Sequence, residues 1–318
     1  MDLSDLQNNV PSTELSNQKR KANDSMNDGI SKKSRFMATY RHQNFPFRDS
    51  LINYITKNPS SAKVYQKMVK CCKYFFIKNP ILVAENLCYH NKKWNITLGK
   101  ETLGLISSKL WITNAFSINC IPIKNSNLVS SIFPKLYQCG AKKLNLCDQI
   151  FSFKDFCFLS SNVEELQLYH VIVKNDDGSI VPFEKLFEVI PKIKVIFFVC
   201  DTSLPQNITS KTFNELLKIP HFLKLKVFRM ENIPETFDLD AFYGYMKKNK
   251  LTKFNLKFDS SISNAHKNRL EGIIDEIIGE LEHDYMPPLI HYSGYNELKY
   301  LVFCVFVYAN YALLEMSS

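Results

Sequence analysis

Cysteine and histidine are the residues of this sequence most able to do chemistry, and their spacing does not point to any. The nine cysteines are odd in number, stand singly apart from Cys71 and Cys72, and form no Cys-x-x-Cys pair. The seven histidines are dispersed, and none pair at the spacing of metal ligands. The sequence also lacks the nucleophile-elbow, zinc-protease and glycine-rich phosphate-loop motifs. We therefore expect a non-enzymatic protein with no metal, no cofactor and no small-molecule ligand.

The feature that does repeat is a short apolar pattern: an apolar residue, a second one three positions on, and a third two further on. Successive copies lie 22 to 32 residues apart, which is the period and strand signature of leucine-rich repeats. The central apolar residues of the six copies are Phe116, Leu144, Leu166, Ile196, Phe228 and Phe254.

Helical patterns separate these strands, which predicts alternating strands and helices. They cover residues 183–190, 213–219, 239–246 and 264–281. The predicted fold class is α/β: an irregular leucine-rich-repeat-like solenoid, in which a curved parallel sheet is lined by helices over residues 83–283. The alternative is an ordinary doubly wound α/β sheet, which has no repeating strand signature.

The strand pattern also predicts where a protein partner would bind. Because side chains alternate along a strand, the residues between the apolar ones face the concave side. One predicted row, Val195, Phe197 and Val199, is wholly apolar and is flanked by Tyr169 and Arg229. Aromatic and arginine side chains in this combination are typical of interface hot spots. The alternative is that a loop or the C-terminal tail covers this row.

Residues 39–82 form a separate helical module before the repeats. A short helix with Leu51, Ile52 and Ile55 on one face must end before Pro59, since the residue before proline avoids the α region. A longer helix then carries apolar residues at three- and four-residue spacing from Val64 to Phe76.

This module resembles an F-box. Phe45 and Pro46 correspond to the family's opening apolar-proline pair, usually Leu-Pro, and residues 69–76 to its Val-Cys-x-x-aromatic ending. The segment from Phe47 to Lys67 is similar to the N-terminal region of nematode F-box and leucine-rich-repeat-like proteins. The resemblance implies a substrate-recognition subunit of an SCF-type ubiquitin ligase, with an adaptor and a target protein as partners. The implied adaptor-binding residues are Phe45, Pro46, Leu51, Ile52, Ile55 and Val64.

A second interpretation needs no adaptor. In it the chain is a scaffold or binding protein, and the two helices only cover the apolar end of the first repeat.

Residues 1–38 form a polar leader that is expected to be disordered, because it has too few large apolar side chains to fold. Its two basic clusters resemble a bipartite nuclear localisation signal that an import receptor would read: Lys19, Arg20, Lys32, Lys33 and Arg35. The alternative is an inert solubilising tail. The N-terminus has no apolar signal core, so we expect an intracellular protein with reduced cysteines, in the nucleus, the cytoplasm or both.

The net charge of +9 is spread along the chain without a concentrated basic stripe, which favours a solvated surface over nucleic-acid binding. In the tail, residues 284–318, the apolar run from Tyr300 to Leu314 is shorter than the roughly 20 residues of a membrane span. A buried tail element is therefore expected, and no membrane association. The tail departs from the pattern of the resembled group, and a gene-model boundary is the alternative explanation.

Overall fold

The computed structural model describes residues 38–41, 43–98, 101–104, 108–119, 125–201, 208–280 and 283–316, without the side chains of 101–104 and 313–316. The predicted nuclear localisation signal lies outside these residues. The chain divides into two compact units, residues 1–79 and residues 80–318.

Within its described residues, the N-terminal unit contains three helices, α1 (Asp49–Lys57), α2 (Ala62–Cys71) and α3 (Lys73–Lys78). The first helix ends where the sequence predicts, before Pro59, and the hydroxyl of Ser61 caps the second by accepting the Val64 N–H at 3.2 Å. Two hydrogen bonds link the helices through Asn79. The Tyr65 hydroxyl donates to the Asn79 carbonyl, and the Asn79 side-chain amide donates to the Thr56 carbonyl.

The predicted continuous helix from Val64 to Phe76 is wrong, because the chain breaks at Cys72. This residue has an extended backbone, with φ −150° and ψ 127°. The break changes the direction of the chain, so that Tyr74 and Phe75 both reach the ring of Phe45, with ring centroids 5.1 and 5.7 Å away. Aromatic packing thus replaces the straight helix that the spacing alone favours.

The C-terminal unit is built on one mostly parallel sheet with helices, so the α/β prediction is confirmed. The strand bounds are β1 Ile81–His90, β2 Lys93–Leu98, β3 Glu101–Gly104, β4 Lys109–Ile118, β5 Leu136–Cys139, β6 Lys143–Cys147, β7 Ile150–Ser152, β8 Glu165–Tyr169, β9 Ile172–Lys174, β10 Val195–Val199, β11 Val227–Ile233, β12 Lys253–Phe258 and β13 Leu289–His291. The order of the strands across the sheet is β13-β12-β11-β10-β8-β6-β4-β1-β2-β3, with β5 beside β4. Strands β7 and β9 form a separate small sheet.

The register of the parallel strands matches the repeat pattern. Each predicted central residue pairs with the next one in the series, although 22 to 32 residues of chain separate them. All six are buried, since their side chains point to the helix-covered side of the sheet. The paired series is Phe116, Leu144, Leu166, Ile196, Phe228 and Phe254.

The connecting helices cover the core side of the sheet, and phenylalanine rings fill much of the space between. Phe228 is fully buried, and its ring lies 5.7 Å from Phe222 and 5.9 Å from Phe254. Three of the four predicted helices differ from the observed ones only at their ends, and one agrees at both. The helices are α4 Leu128–Ile132, α5 Phe153–Ser160, α6 Phe183–Glu188, α7 Thr212–Leu216, α8 Leu239–Met246, α9 Asn264–Gly279 and α10 Glu297–Met316.

An antiparallel hairpin begins this unit, and the sequence interpretation missed it. His90 of β1 pairs with Lys93 of β2, so the loop is only Asn91 and Lys92. Both loop residues have positive φ, 51° and 60°, as a type I′ turn requires. The Asn at the first loop position is the one signal that could have predicted the turn.

The sequence predicts a buried tail element, but the tail is buried on one side only. Helix α10 buries Phe303 and Val307 completely, whereas Leu301 and Val305 on its other side are exposed. In the described part of the chain, no helix is both long and apolar enough to cross a membrane.

Candidate protein-interaction surfaces

The alternate residues of the parallel strands form a second side of the sheet, here called the open face. In contrast to the buried core side, most of these residues are partly or fully exposed. Strand register places them in rows across neighbouring strands. The middle row is Asn145, Gln167, Phe197, Arg229 and Asn255.

Three side chains contact one another at the centre of the open face, here called the aromatic–arginine cluster. The ring of Tyr169 meets that of Phe197 edge-on, with centroids 4.8 Å apart. From the opposite side, the Arg229 guanidinium carbon lies 4.4 Å from the centroid of the Phe197 ring. The structure therefore brings together the three residues that the sequence pattern grouped: Arg229 is level with Phe197 on the next strand, and Tyr169 reaches it diagonally from the level of Val199. Phe197 stays partly exposed between them.

Arginine 229 is held in place by an acidic neighbour. Its Nε and Nη2 donate to Oε1 of Glu231, at 3.1 and 2.6 Å. Burial raises the pKa of the Tyr169 hydroxyl, and the Arg229 charge opposes that rise. The Glu231 carboxylate thus holds the cation over the ring before any partner arrives, which lowers the entropy lost on binding.

The two valines predicted beside Phe197 are not equivalent. Val195 is partly exposed, but Val199 is only 7% exposed and belongs to the core. The side chain of Val199, which was predicted to contact a partner, therefore has almost no accessible surface. Val227, which pairs with Val195 on the adjacent strand, is also partly exposed and extends the apolar area.

The tail does not cover this centre. Helix α10 reaches the sheet at β12, where the Tyr311 hydroxyl donates to the Phe254 carbonyl at 3.4 Å and the ring lies 5.0 Å from the Lys253 ammonium. Strand β12 lies two strands from Phe197. Between α10 and the sheet lies a depression of about 390 Å³ that includes Tyr308 and Val227.

The other end of the open face is polar. A shallow depression of about 330 Å³ is lined by Ser117, Lys143, Asn145 and Glu165 among others. Lys143 and Glu165 form an exposed ion pair at 2.7 Å. Within the described residues, the buried Oδ1 of Asn145 has no hydrogen-bond partner. An unpaired acceptor at this position suits a partner that offers an N–H group.

The N-terminal unit also exposes several large apolar side chains, here together called the helical patch: Phe47, Leu51, Tyr54, Ile55 and Val64. Leu51, Tyr54 and Ile55 have i, i+3 and i+4 spacing, so they share one face of α1. Leu51 is 45% exposed and Tyr54 is 66% exposed.

Six residues were predicted to bind an adaptor, and the structure separates them into two groups. Pro46, Leu51, Ile55 and Val64 are exposed, whereas Phe45 is partly buried against Tyr74 and Phe75. Ile52 is only 5% exposed, so its side chain cannot contribute appreciably to such a surface. Phe47 and Tyr54 were missed, although their spacing to Leu51 was visible in the sequence.

Among the described residues, no group of three or more His, Cys, Asp or Glu side chains could hold a metal ion. Burial raises the pKa of the Cys139 thiol to about 11 and that of Cys200 to about 12, so neither is a ready nucleophile. Cys147 is in a disulfide, so the expectation that all nine cysteines are reduced is wrong at this residue.

Known proteins provide no further assignment. No protein-family model matches the chain, and no curated protein matches its sequence. The features that bear on function are therefore the open face, the helical patch and the sequence resemblance.

Proposed function

We propose that this chain is a non-enzymatic protein-interaction protein whose open face binds a target protein. In this proposal the in-register parallel strands form an irregular leucine-rich-repeat-like solenoid, a fold class that presents one face of its sheet to partners. The observation that carries the proposal is the aromatic–arginine cluster of Tyr169, Phe197 and Arg229.

The cluster has the composition and the rigidity of an interface hot spot. Tyrosine and arginine are enriched among residues that dominate binding energy, and Phe197 offers an apolar anchor between them. Its polar surroundings are already paired through Lys143–Glu165 and Arg229–Glu231. A partner can thus bury the ring without leaving these charges unpaired, which is the cost that usually weakens polar interfaces.

The test of target binding compares Phe197→Ala with the full-length wild type. Proteins captured by the wild type are identified, and the affinity of each purified candidate is then measured by calorimetry. We expect Phe197→Ala to lower the affinity for the target by roughly 30-fold or more, which is the effect of losing a hot-spot side chain. The control is Leu223→Ala, which removes an exposed apolar side chain from outside the open face. A target that binds all three proteins equally would refute the proposal.

We further propose that the chain is a substrate-recognition subunit of an SCF-type ubiquitin ligase, with the helical patch as its adaptor-binding surface. The support is the F-box resemblance of residues 45–76 together with the exposure of Leu51, Ile55 and Val64. Exposed apolar side chains on one helix face are more stable in contact with a partner helix than in contact with water. If the unit only covered an end of the repeats, no adaptor would bind it.

A pull-down with purified adaptor separates these two functions. Wild-type chain is compared with Pro46→Ala/Leu51→Ala, and Leu223→Ala is the control because Leu223 and Leu51 are similarly exposed, at 42% and 45%. We expect the double variant to lose binding and the control to keep it. If the wild type itself does not bind, the ligase function is lost and the scaffold interpretation remains.

For the leader we propose nuclear import through its two basic clusters, Lys19-Arg20 and Lys32-Lys33-Ser34-Arg35. The experiment fuses residues 1–40 to a reporter and replaces the five basic residues of the clusters by alanine in a second fusion. Nuclear accumulation of the first fusion alone is expected. A reporter that stays cytoplasmic in both cases would remove this proposal.

A further inference from the structure

Helix α10 has two faces with different surroundings. Its inner face places Phe303 and Val307 in the core, where both are fully buried. Its outer face carries a continuous apolar stripe whose members are each 51–72% exposed. The outer stripe is Leu298, Leu301, Val302, Val305 and Tyr308.

The outer stripe contains no charge. Two charged residues flank Leu298 along the helix. Lys299 is directed to the other side, where its ammonium pairs with Glu271 at 2.8 Å and Asp275 at 2.6 Å. Glu297 is exposed at the first position of the helix, four residues before Leu301. A partner that leaves Glu297 at the solvent-exposed rim covers the stripe without burying an unpaired ion, which would be costly.

The residue order of the stripe is nearly symmetric about position 303. In an antiparallel pair of identical helices with a twofold axis at that position, Leu298 lies opposite Tyr308, and Leu301 lies opposite Val305. The large residues at one end of the stripe thus meet those at the other end, and the medium-sized ones meet in the middle. Antiparallel pairing also sets the two helix dipoles against each other favourably.

We propose that a second copy of this chain covers the outer stripe through antiparallel α10–α10 pairing. Such a twofold contact is the commonest way in which identical chains associate. Each of the five side chains exposes on the order of 100 Å², so two copies would bury about 1,000 Å² in total. This is the lower limit for a specific interface, at which weak and reversible association is expected.

The first experiment measures the mass of the full chain by sedimentation equilibrium over about 5 to 200 μM. Wild type is compared with Leu301→Glu/Val305→Glu and with the control Leu251→Glu. Leu251 is 68% exposed and lies outside α10, and Leu301 is 60% exposed. We expect a monomer–dimer equilibrium for wild type and control, and at least a tenfold weaker association for the double variant. If circular dichroism shows that the glutamates disturb the fold, Leu301→Ser/Val305→Ser replaces them.

The second experiment tests the register in a Cys71→Ser/Cys304→Ser background. This removes an exposed thiol and the partly exposed thiol that the proposed register places opposite Val302. Val302→Cys lies near the proposed axis and should form an intermolecular disulfide on oxidation. Leu298→Cys should not, because its copies would be separated by ten positions, or about 15 Å along the helix. Cross-linking of both variants would overturn the antiparallel arrangement.

Three results would overturn the proposal as a whole. The first is a wild-type chain that stays monomeric throughout the concentration range. The second is a stripe variant that dimerises as strongly as the wild type. The third is a monomer that sediments with phosphatidylcholine–phosphatidylserine vesicles through Leu301 and Val305, which would make lipid the occupant.

Discussion

At the residue scale, Gln149 shows how a single buried polar side chain joins separate segments. It is fully buried, and its Oε1 accepts the N–H of Val129 at 3.2 Å. Its Nε2 faces the carbonyls of Asn125, Cys147 and Asp148 at 3.0 to 3.2 Å. Gln149 thus supplies an acceptor to one backbone N–H and donors to three backbone carbonyls. Buried backbone groups of this kind are costly to leave unpaired.

Replacing this amide by an apolar side chain of similar length should destabilise the fold. We expect Gln149→Met to lower the free energy of unfolding by about 2–3 kcal/mol, since it strands buried backbone groups without changing much volume. The measurement is the urea midpoint and slope of the full chain. Gln138→Met is the control, because Gln138 is exposed, and should change stability by less than about 0.5 kcal/mol. Equal effects of the two substitutions would contradict this role for Gln149.

Thiol reactivity is a second property set at the residue scale. The pKa of Cys139 is raised to about 11 and that of Cys200 to about 12, in both cases chiefly by burial, whereas Cys71 is exposed. The thiolate is the form that is alkylated, so buried neutral thiols react slowly. With iodoacetamide at about pH 8 we expect Cys71 to be modified at least tenfold faster than Cys139 or Cys200, as read by peptide mass spectrometry. Comparable rates in the native protein, rather than in urea, would count against this prediction.

At the element scale, the hairpin loop carries strain that one substitution can relieve. Lys92 has φ 60°, a conformation that costs a side-chain-bearing residue about 1 kcal/mol and glycine almost nothing. We expect Lys92→Gly to raise the free energy of unfolding by roughly 0.5 kcal/mol, after the entropy of the more flexible unfolded chain is subtracted. The control is the neighbouring Lys93→Gly in β2, which should destabilise by about 0.5–1 kcal/mol. Opposite signs for two adjacent lysines are the expected result, measured by thermal and urea unfolding.

The same loop shows why some elements could be predicted from the sequence and others could not. The strands around Leu144, Leu166 and Ile196 were predictable because their alternation is local and recurs. Asn91-Lys92 lacks the glycine that marks most two-residue hairpins, so its turn has no strong local signal. The break at Cys72 accompanies contacts of Tyr74 and Phe75 with Phe45, a residue that lies far from them in the sequence.

At the scale of the whole molecule, the repeat predicts neighbours better than it predicts exposure. The contact of Phe197 with Arg229 follows from counting along aligned strands, whereas Tyr169 is level with Val199 and reaches Phe197 diagonally. The burial of Val199 does not follow from the repeat, because alternation says which side a residue faces and not what else packs there. For the same reason the apolar run of α10 could not be divided in advance into a buried and an exposed face.

The pH dependence of stability is also a property of the whole molecule, and two partly buried histidines contribute to it near neutrality. Burial lowers the pKa of His266 below its usual 6.5, against opposing contributions from Glu235 and Asp240. Burial, helped by Lys257 and opposed by Glu231, likewise lowers the pKa of His291. The folded chain therefore binds fewer protons than the unfolded chain once the pH falls below about 6.5. Stability is fully present above that pH and is lost as the pH falls through the lowered folded-state values.

We therefore expect the free energy of unfolding to decrease between about pH 7.5 and pH 5.5, a window that lies above the titration of the carboxylates. His266→Gln/His291→Gln should flatten this dependence, because neither replacement titrates. Leu223→Gln is the control, because it changes an exposed side chain without adding or removing a titrating group, and it should keep the wild-type slope. Urea unfolding at both pH values gives the comparison. A double variant with the full wild-type slope would show that other groups take up the protons, and the buried imidazoles would then have no part in the acid sensitivity of the fold.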